Sequence, residues 1–184
     1  MENSKQNIST LTFVILIYFF SISPSISYAQ TKQQADLIER DSIIVAAKET
    51  IKSARYCALI TLNSKGLPHV RTMDPFPTKE NFIIWFGTNK KSRKVNEIVN
   101  NSNVTLYFAD PTGGGYVTIT GKAKIIDDKK EKAKRWNKEW EAFYPDKDKM
   151  YVLIKVIPTQ LDVLSYKHGI IGNPFTWRIP HIKF

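Results

Sequence analysis

The sequence predicts a mainly β fold (α+β): a closed or partly closed antiparallel barrel of six to seven strands with peripheral helices. Short runs rich in β-branched and aromatic residues follow one another between Tyr56 and Tyr166. Brief turns of Asn, Ser, Gly and Pro separate these runs, and only two helical patterns interrupt them. Because strands that succeed one another directly pair antiparallel, a barrel is favoured over a parallel α/β sheet.

The N-terminal segment differs from the rest of the chain. The apolar run Leu11–Phe20 is shorter than the ~20 residues that a transmembrane helix needs. Ser27-Tyr28-Ala29 then gives the small-x-small pattern of an export cleavage site. We therefore predict a signal peptide over residues 1–29, cleavage near Ala29/Gln30, and a mature protein in the periplasm or secreted. The alternative is an uncleaved segment that anchors the chain.

Residues 30–184 are predicted to form one domain, since about 155 residues is an ordinary single-domain length. We expect the barrel core over about residues 55–165 and an irregular C-terminal tail over 167–184. The single cysteine, Cys57, lies in an apolar run and is expected to be a buried, inert thiol.

The first half of the chain begins with a helical pattern over residues 31–53, where Asp41 is an N-cap or an exposed break. Three strands with short turns then predict an antiparallel meander: Tyr56–Leu62, Leu67–Phe76 and Asn81–Phe86. A short helix follows at Ser92–Asn100, and its spacing predicts an apolar face made by Val95, Ile98 and Val99.

The second half returns to strands, joined by a glycine-rich turn, at Val104–Ala109 and Tyr116–Ile126. The highly charged segment Lys129–Phe143 predicts a second amphipathic helix, in which Trp136 and Trp140 make core contacts. Two more strands complete the set, at Met150–Ile157 and Leu161–Tyr166.

The chain carries 27 Lys and Arg against 17 Asp and Glu, a formal net charge of +10. Such a surface attracts anions, which include phosphorylated small molecules, acidic lipids and nucleic acid. A nucleic-acid-binding protein usually gathers its cations in one stripe. Here the lysines are spread over 129–149 and both termini, so we expect no nucleic-acid partner.

The most informative stretch follows the third strand, where a polar turn leads into a helix at Ser92-Arg93-Lys94. A helix N-terminus offers free backbone N–H groups and the positive end of the helix dipole, here beside four cations. Ser92 can cap the helix or donate to a phosphate oxygen, Arg93 can hold two oxygens, and Lys94 adds charge. The pattern indicates a phosphate site; an ordinary capped helix with a solvated basic turn is the alternative.

A second signal lies in the strand Leu67–Phe76, whose alternation places His69, Arg71 and Met73 on one face. An arginine inside a strand either extends to solvent from an edge or faces an anionic or electron-rich ligand. If this strand neighbours Asn81–Phe86, Arg71 and the Ser92 turn approach one cleft.

These motifs, in their order and spacing, resemble the pyridoxamine 5′-phosphate oxidase-like superfamily and, within it, the bacterial general stress protein subgroup. The resemblance covers about residues 35–165 and rests on four segments: Arg71-Thr72-Met73, Trp85–Thr88 followed by Ser92-Arg93-Lys94, Tyr107–Pro111, and Val117–Ala123. It implies an FMN-binding split β-barrel that forms a homodimer with FMN at the subunit interface. The residues that it implies are Arg71, Thr72 and Met73 at the flavin ring, backbone groups of Phe86 and Thr88, and Ser92, Arg93 and Lys94 at the phosphate.

The resemblance implies an FMN-dependent oxidoreductase that passes hydride or electrons through the flavin to a small, unidentified substrate. Arg71 beside the ring would stabilise the anionic reduced flavin, and no catalytic acid or base is predicted. True pyridoxamine phosphate oxidases carry an Arg-x-His-x-Arg-like substrate cluster that is missing from Tyr166–Phe184. Vitamin oxidation is therefore disfavoured, and a flavin-binding or flavin-sequestering stress protein without turnover is the alternative.

Two further readings concern the ligand. A barrel of this kind can hold haem or a deazaflavin in place of FMN, but Ser92-Arg93-Lys94 favours a phosphorylated ligand over haem. In the tail, Trp177-Arg178 either covers a flavin edge or simply packs. The three histidines are too scattered in sequence to predict a metal site.

Overall fold

The computed structural model describes residues 24–77 and 81–184, and the side chains from residue 33 onward within those ranges. The chain divides into two units, one that ends at Asp41 and one that runs from Ser42 to Phe184. The apolar run of the predicted signal peptide lies outside the described residues, and the cleavage site stays a prediction. No helix within the described ranges is both long and apolar enough to cross a membrane.

The elements are four α-helices, two 3-10 turns and seven strands within the described ranges. In chain order they are α1 Pro24–Ala54, β1 Cys57–Leu62, β2 Pro68–Met73, β3 Ile84–Asn89, α2 Arg93–Asn100, β4 Asn103–Ala109, β5 Gly115–Ile126, α3 Lys129–Lys134, a 3-10 turn at Lys138–Trp140, α4 Lys147–Met150, β6 Tyr151–Ser165, a 3-10 turn at Tyr166–His168, and β7 His181–Lys183.

The strands form one antiparallel sheet in the order β2-β1-β4-β5-β6-β3, with β7 paired to β6. This confirms the predicted mainly β class and its strand number. The β1–β2 hairpin is also confirmed: its turn is closed by the Asn63 side chain, which accepts from Lys65 N and Leu67 N at 2.9 Å each, and by Gly66 at φ +76°.

The predicted three-strand meander is wrong, because β3 pairs with β6 and not with β2. The segment after β2 contains Pro75 and Pro77, which cannot donate to a strand ladder. One backbone bond still links that segment to β3, from Phe76 N to Trp85 O at 2.9 Å. It joins the continuation of one edge strand to the other edge strand, so the sheet curls into a partly closed barrel.

The two strands predicted over 150–166 are one strand, β6, which spans 15 residues. Its register with β5 shifts between Thr120 and Gly121, so that Thr159 has no partner in the ladder. Pro158 lies at this bulge, where its missing N–H group does no harm. The Thr159 hydroxyl donates to Thr120 O at 3.0 Å, so the bulge is held by a side chain.

The core lies inside the curled sheet and is lined by alternating residues of the strands. Leu59, Phe86, Leu106 and Val117 are fully buried there.

Cys57 is also buried, as predicted. Burial, with a smaller contribution from the Asp74 carboxylate, raises the pKa of its thiol to about 12, so the thiolate is scarce at neutral pH.

Three helix predictions change in detail. The helix α1 continues through Asp41 without a break. The predicted helix Lys129–Phe143 is wrong, since α3 ends at Lys134 and a 3-10 turn follows after Asn137, whose side chain accepts from Glu139 N. Val99 is exposed instead of contributing to the apolar face of α2.

The break after α3 lets several aromatic rings surround Tyr151. Trp136, Trp140 and Tyr144 lie 5.3 to 5.8 Å from its ring centroid, and Tyr151 Oη donates to Arg135 O at 2.8 Å. The prediction that both tryptophans make core contacts is therefore confirmed. These rings cover Gly87 on β3: a Cβ there would lie 2.6 Å from Tyr151 Cε2 and 2.8 Å from Trp140 Cζ3.

We expect Gly87→Ala to destabilise the protein by about 1–3 kcal/mol, because the added methyl group overpacks two rigid rings. Urea unfolding followed by circular dichroism measures the change. Gly114→Ala is the matched control, since its Cβ would meet only the flexible side chains of Asp110 and Thr112 at 3.3 and 3.4 Å. Equal stability of the Gly87 and Gly114 variants would contradict the close packing described here.

Candidate cationic binding site

The helix α2 begins immediately beyond β3, which continues to Asn89 and does not end at Phe86 as predicted. Ser92 is the N-cap residue, with extended backbone at φ −68° and ψ 147°, but its side chain makes no capping hydrogen bond. Its half-buried hydroxyl lies 3.4 Å from Thr88 Oγ1. In the first turn of α2, Val95 N donates to Ser92 O at 3.0 Å, whereas the N–H groups of Arg93 and Lys94 have no backbone acceptor among the described residues.

Lys94 lies beside the same threonine. Its Nζ donates to the buried Thr88 Oγ1 at 3.1 Å. Burial lowers the pKa of Lys94, and the neighbouring charges of Arg71 and Arg93 lower it further, while Glu97 opposes them. A nearby anion would offset the repulsion among the positive charges of Lys94, Arg71 and Arg93.

Glu97 is a site residue that the sequence analysis missed. Its side chain is only 7% exposed, although it lies on a helix whose buried face was predicted to be apolar. Its carboxylate accepts hydrogen bonds from three side chains and pairs with a fourth: Thr61 Oγ1 at 2.5 Å, His69 Nδ1 at 2.5 Å, Arg71 NH2 at 3.1 Å, and Arg93 Nε at 3.4 Å. The only local sign of this role in the sequence was the four-residue spacing of Arg93 and Glu97, which is typical of an ion pair on a helix.

Glu97 is ionised at neutral pH despite its burial. Burial raises the pKa of its carboxyl group, but hydrogen bonds from Thr61 and His69 and the charges of His69 and Arg71 lower it more, to below 4.5. A buried carboxylate therefore neutralises part of the positive charge around it.

Arg71 is held in place by this carboxylate and by β1. Its NH1 donates to Leu59 O at 3.2 Å and to Thr61 Oγ1 at 2.6 Å. Two of its five N–H donors have no partner among the described residues. Burial lowers the pKa of the guanidinium, but arginine stays charged at any physiological pH.

The structure brings together five of the eight predicted site residues: Arg71, Thr88, Ser92, Arg93 and Lys94. Met73 shares the inner face of β2 with Arg71, as predicted, and packs against the core. The Thr72 side chain lies on the opposite, exposed face, and Phe86 is fully buried in the core. The predicted contacts of Thr72 with the flavin ring and of the Phe86 backbone with the ligand stay predictions.

Arg71 lies close to the helix that follows Ser92, as predicted, but the predicted reason is wrong. The strands β2 and β3 lie at opposite ends of the sheet order. It is α2 that crosses to β1 and β2, where Glu97 contacts Thr61 and Arg71. We call Arg71, Arg93 and Lys94, with Glu97 among them, the cationic cluster.

The cationic cluster carries three fixed positive charges against one negative charge, an excess of two before His69 is counted. In the tail, Trp177 is 82% exposed, and its backbone has φ +56°. Across the described ranges, no group of three or more His, Cys, Asp or Glu side chains is arranged to hold a metal ion. The fold and the site together define a split-barrel protein with a cluster of cations at the start of α2.

Comparison with known proteins agrees with that class. The family model for pyridoxamine 5′-phosphate oxidase-like proteins matches residues 44–171, and the chain belongs to this family. General stress protein 26 of Bacillus subtilis (strain 168) is 32% identical over 105 residues, which cover 55% of this chain and 74% of that protein. The similarity thus extends to the general stress protein subgroup.

Two solved structures share the fold. A Clostridium acetobutylicum protein related to general stress protein 26 has a TM-score of 0.62 at 19% identity, and covers 77% of this chain and 94% of its own. A pyridoxamine 5′-phosphate oxidase-related, FMN-binding protein from Nostoc punctiforme has a TM-score of 0.53 at 19% identity, with the same coverages.

The lowered pKa of Glu97 gives a pH-dependent prediction. A carboxyl group whose folded pKa lies below its ordinary value of 4.5 contributes stability that is fully present above that value. This stability is lost as the pH falls through the folded pKa. We expect Glu97→Gln to lower the free energy of unfolding by about 3 kcal/mol near neutral pH. The difference from the parent should shrink as the pH falls below 4.5.

Urea unfolding of both proteins across this pH range measures the difference. Glu141→Gln is the control, because Glu141 is exposed on the segment after the 3-10 turn and makes no ion pair with a described residue. A stability difference for Glu97→Gln that does not change with pH would contradict the ionised state assigned to Glu97.

Proposed function

We propose that the protein binds FMN with its phosphate at the cationic cluster and acts as an FMN-dependent oxidoreductase on a small substrate. The observation that carries the proposal is the excess of two positive charges at a helix N-terminus whose Ser92 hydroxyl caps nothing. A phosphate monoester carries ≈ −1.5 to −2 charges at pH 7, which matches that excess. Membership of the family and the FMN-binding relative from Nostoc punctiforme support the choice of ligand.

The residues fit the parts of FMN in a simple division. Ser92, Arg93, Lys94 and the first-turn N–H groups of α2 would bind the phosphate by charge-assisted hydrogen bonds. Arg71 would face the ring with its two remaining donors, while Met73 lies next to it on β2. The bound flavin supplies the hydride chemistry, so the protein needs to supply orientation and positive charge.

A second candidate is a flavin-binding or flavin-sequestering stress protein without turnover. The observation that favours it is the missing Arg-x-His-x-Arg-like substrate cluster. In the described part of the tail, Arg178 is the only arginine, and it is exposed. Steady-state reduction of the purified flavoprotein by a nicotinamide or small-molecule donor separates the two candidates, since sequestration needs no reduction. Both depend on the same phosphate site.

Replacement of Arg93 and Lys94 by Ala should weaken FMN binding by two to four orders of magnitude. Each charge-assisted contact is worth ~1.5–3 kcal/mol, and about 1.4 kcal/mol corresponds to one decade in Kd. Riboflavin lacks the phosphate and should bind the variant as it binds the parent. Quenching of flavin fluorescence gives both constants.

The matched control is Lys129→Ala/Lys130→Ala, which removes the same charge from exposed positions of α3. An unchanged FMN constant in a folded Arg93→Ala/Lys94→Ala protein would place the phosphate elsewhere. Equal losses for FMN and riboflavin would instead indicate a general loss of the fold.

We also propose that two copies of the chain form a homodimer. The face of the sheet opposite the core carries no charged side chain on β1, β2 or β4, where it consists of Ala58, Ile60, Leu62, Pro68, Val70, Thr72, Asn103, Thr105, Tyr107 and Ala109. Val70 is 62% and Tyr107 40% exposed, in a chain with 24% charged residues. An exposed uncharged face of this kind is typical of an interface.

A Val70→Glu substitution should convert a dimer into a monomer, because it buries an unpaired charge in the proposed interface. Phe143→Glu, at another exposed apolar side chain, should leave the dimer intact. Sedimentation velocity measures the mass of each protein. A parent protein that is monomeric and still binds FMN tightly would refute the proposed dimer. It would not contradict the proposed phosphate site.

A further inference from the structure

A cavity of about 600 Å³ lies away from the cationic cluster, between the end of α1 and the segments that flank β3 on its N-terminal side. This volume falls within the range of small-molecule sites. We call it the proline pocket, because Pro75 and Pro77 contribute to its wall. Neither the phosphate site nor the proposed dimer face uses it.

The proline pocket has a positive charge excess. Among the described residues, Lys48, Lys52 and Arg55 line it against a single acid, Asp74. Within the described ranges none of the three cations forms an ion pair; Arg55 only lies over the Tyr56 ring, 4.9 Å from its centroid. The nearest acid in α1, Glu49, is already engaged by Lys167 at 2.6 Å and His168 at 3.0 Å.

Apart from Asn81, the other described residues of the wall are apolar. The buried Phe82 packs on Phe184 with ring centroids 5.8 Å apart, and Phe76 packs on Trp140 at 5.7 Å. Ile51 adds a half-buried aliphatic surface from α1. Each of the two phenylalanine rings of the wall therefore packs on a second aromatic ring.

The backbone around the proline pocket adopts unfavourable conformations. Arg55, Asn81 and Phe82 have φ of +52°, +53° and +54°, three of the four positive values among described residues other than glycine. Each such residue costs about 1–3 kcal/mol and is found most often at functional sites. A buried phenylalanine in this region is an outlier, so the surrounding fold maintains the wall against its local preference.

From the charge excess, the apolar wall and the strained backbone together, we propose that the proline pocket binds a small organic anion with a ring-sized apolar body. Lys48 and Lys52 face its acidic group, and Ile51, Phe76 and Phe82 contact its body. The pocket begins at Asp74, directly after Met73 on the strand that carries Arg71. The proposal that the pocket binds this anion is independent of the proposed function. The further idea that the anion is the substrate that reacts with the flavin rests on the proposed function.

A pair of fluorescent probes tests the proposal: 1-anilinonaphthalene-8-sulfonate, and N-phenyl-1-naphthylamine, which lacks the sulfonate. We expect the full-length protein to bind both saturably. Lys48→Gln/Lys52→Gln should weaken the sulfonate about five- to tenfold, as expected for two contacts with exposed cations, and leave the neutral probe unchanged. Lys130→Gln/Lys138→Gln, which removes two exposed lysines elsewhere, is the matched control.

A second variant, Ile51→Trp, fills the pocket and should weaken both probes. Circular dichroism and a cooperative urea transition must show that each variant is folded, because loosely packed proteins also bind the sulfonate. Equal sulfonate binding by the parent, Lys48→Gln/Lys52→Gln and Ile51→Trp proteins would overturn the proposal. The Arg93→Ala/Lys94→Ala protein should bind the sulfonate like the parent, so failure of the FMN proposal and failure of this one are distinguishable.

Discussion

The Glu97 carboxylate accepts hydrogen bonds from Thr61 on β1 and from His69 and Arg71 on β2, and pairs with Arg93 on its own helix. A buried charge is tolerated only when it is paired and hydrogen-bonded, so the position of α2 over the two strands is tightly constrained. The same carboxylate allows Arg71, Arg93 and Lys94 to lie close together without excessive repulsion. The geometry of the cationic cluster therefore depends on one acidic group.

The strand β2 and the segment that follows it contribute to two groups of cations, the cationic cluster and the wall of the proline pocket. Arg71 and Met73 on β2 belong to the cationic cluster, whereas Asp74 and Phe76 begin the proline pocket. The prolines that end β2 divert the chain from its hairpin path, and the bond from Phe76 N to Trp85 O holds it against β3. A cofactor phosphate and an organic anion would thus be bound by neighbouring parts of one edge of the sheet.

The sequence predicted most strands, the β1–β2 hairpin, the burial of Cys57 and the helix that begins after Ser92. These features depend on side-chain alternation, turn residues and helix caps, which act between residues a few positions apart. Arg71 and the Ser92 turn were also predicted to meet. The two do lie close together, although β2 does not pair with β3. The reason is that α2, which begins after Ser92, crosses to β2, where its Glu97 contacts Arg71.

What the sequence alone determined here is the mainly β class, the cations that gather after β3, and the family to which those motifs belong. Only the tertiary structure decided that β3 pairs with β6, that Glu97 rather than Val99 is buried on α2, and that a cavity opens beside Pro75. Strand partners far apart in the chain leave no local pattern. The burial of a charged side chain depends on the groups brought to it by other elements, and Glu97 becomes a core residue only once Thr61, His69 and Arg71 surround it.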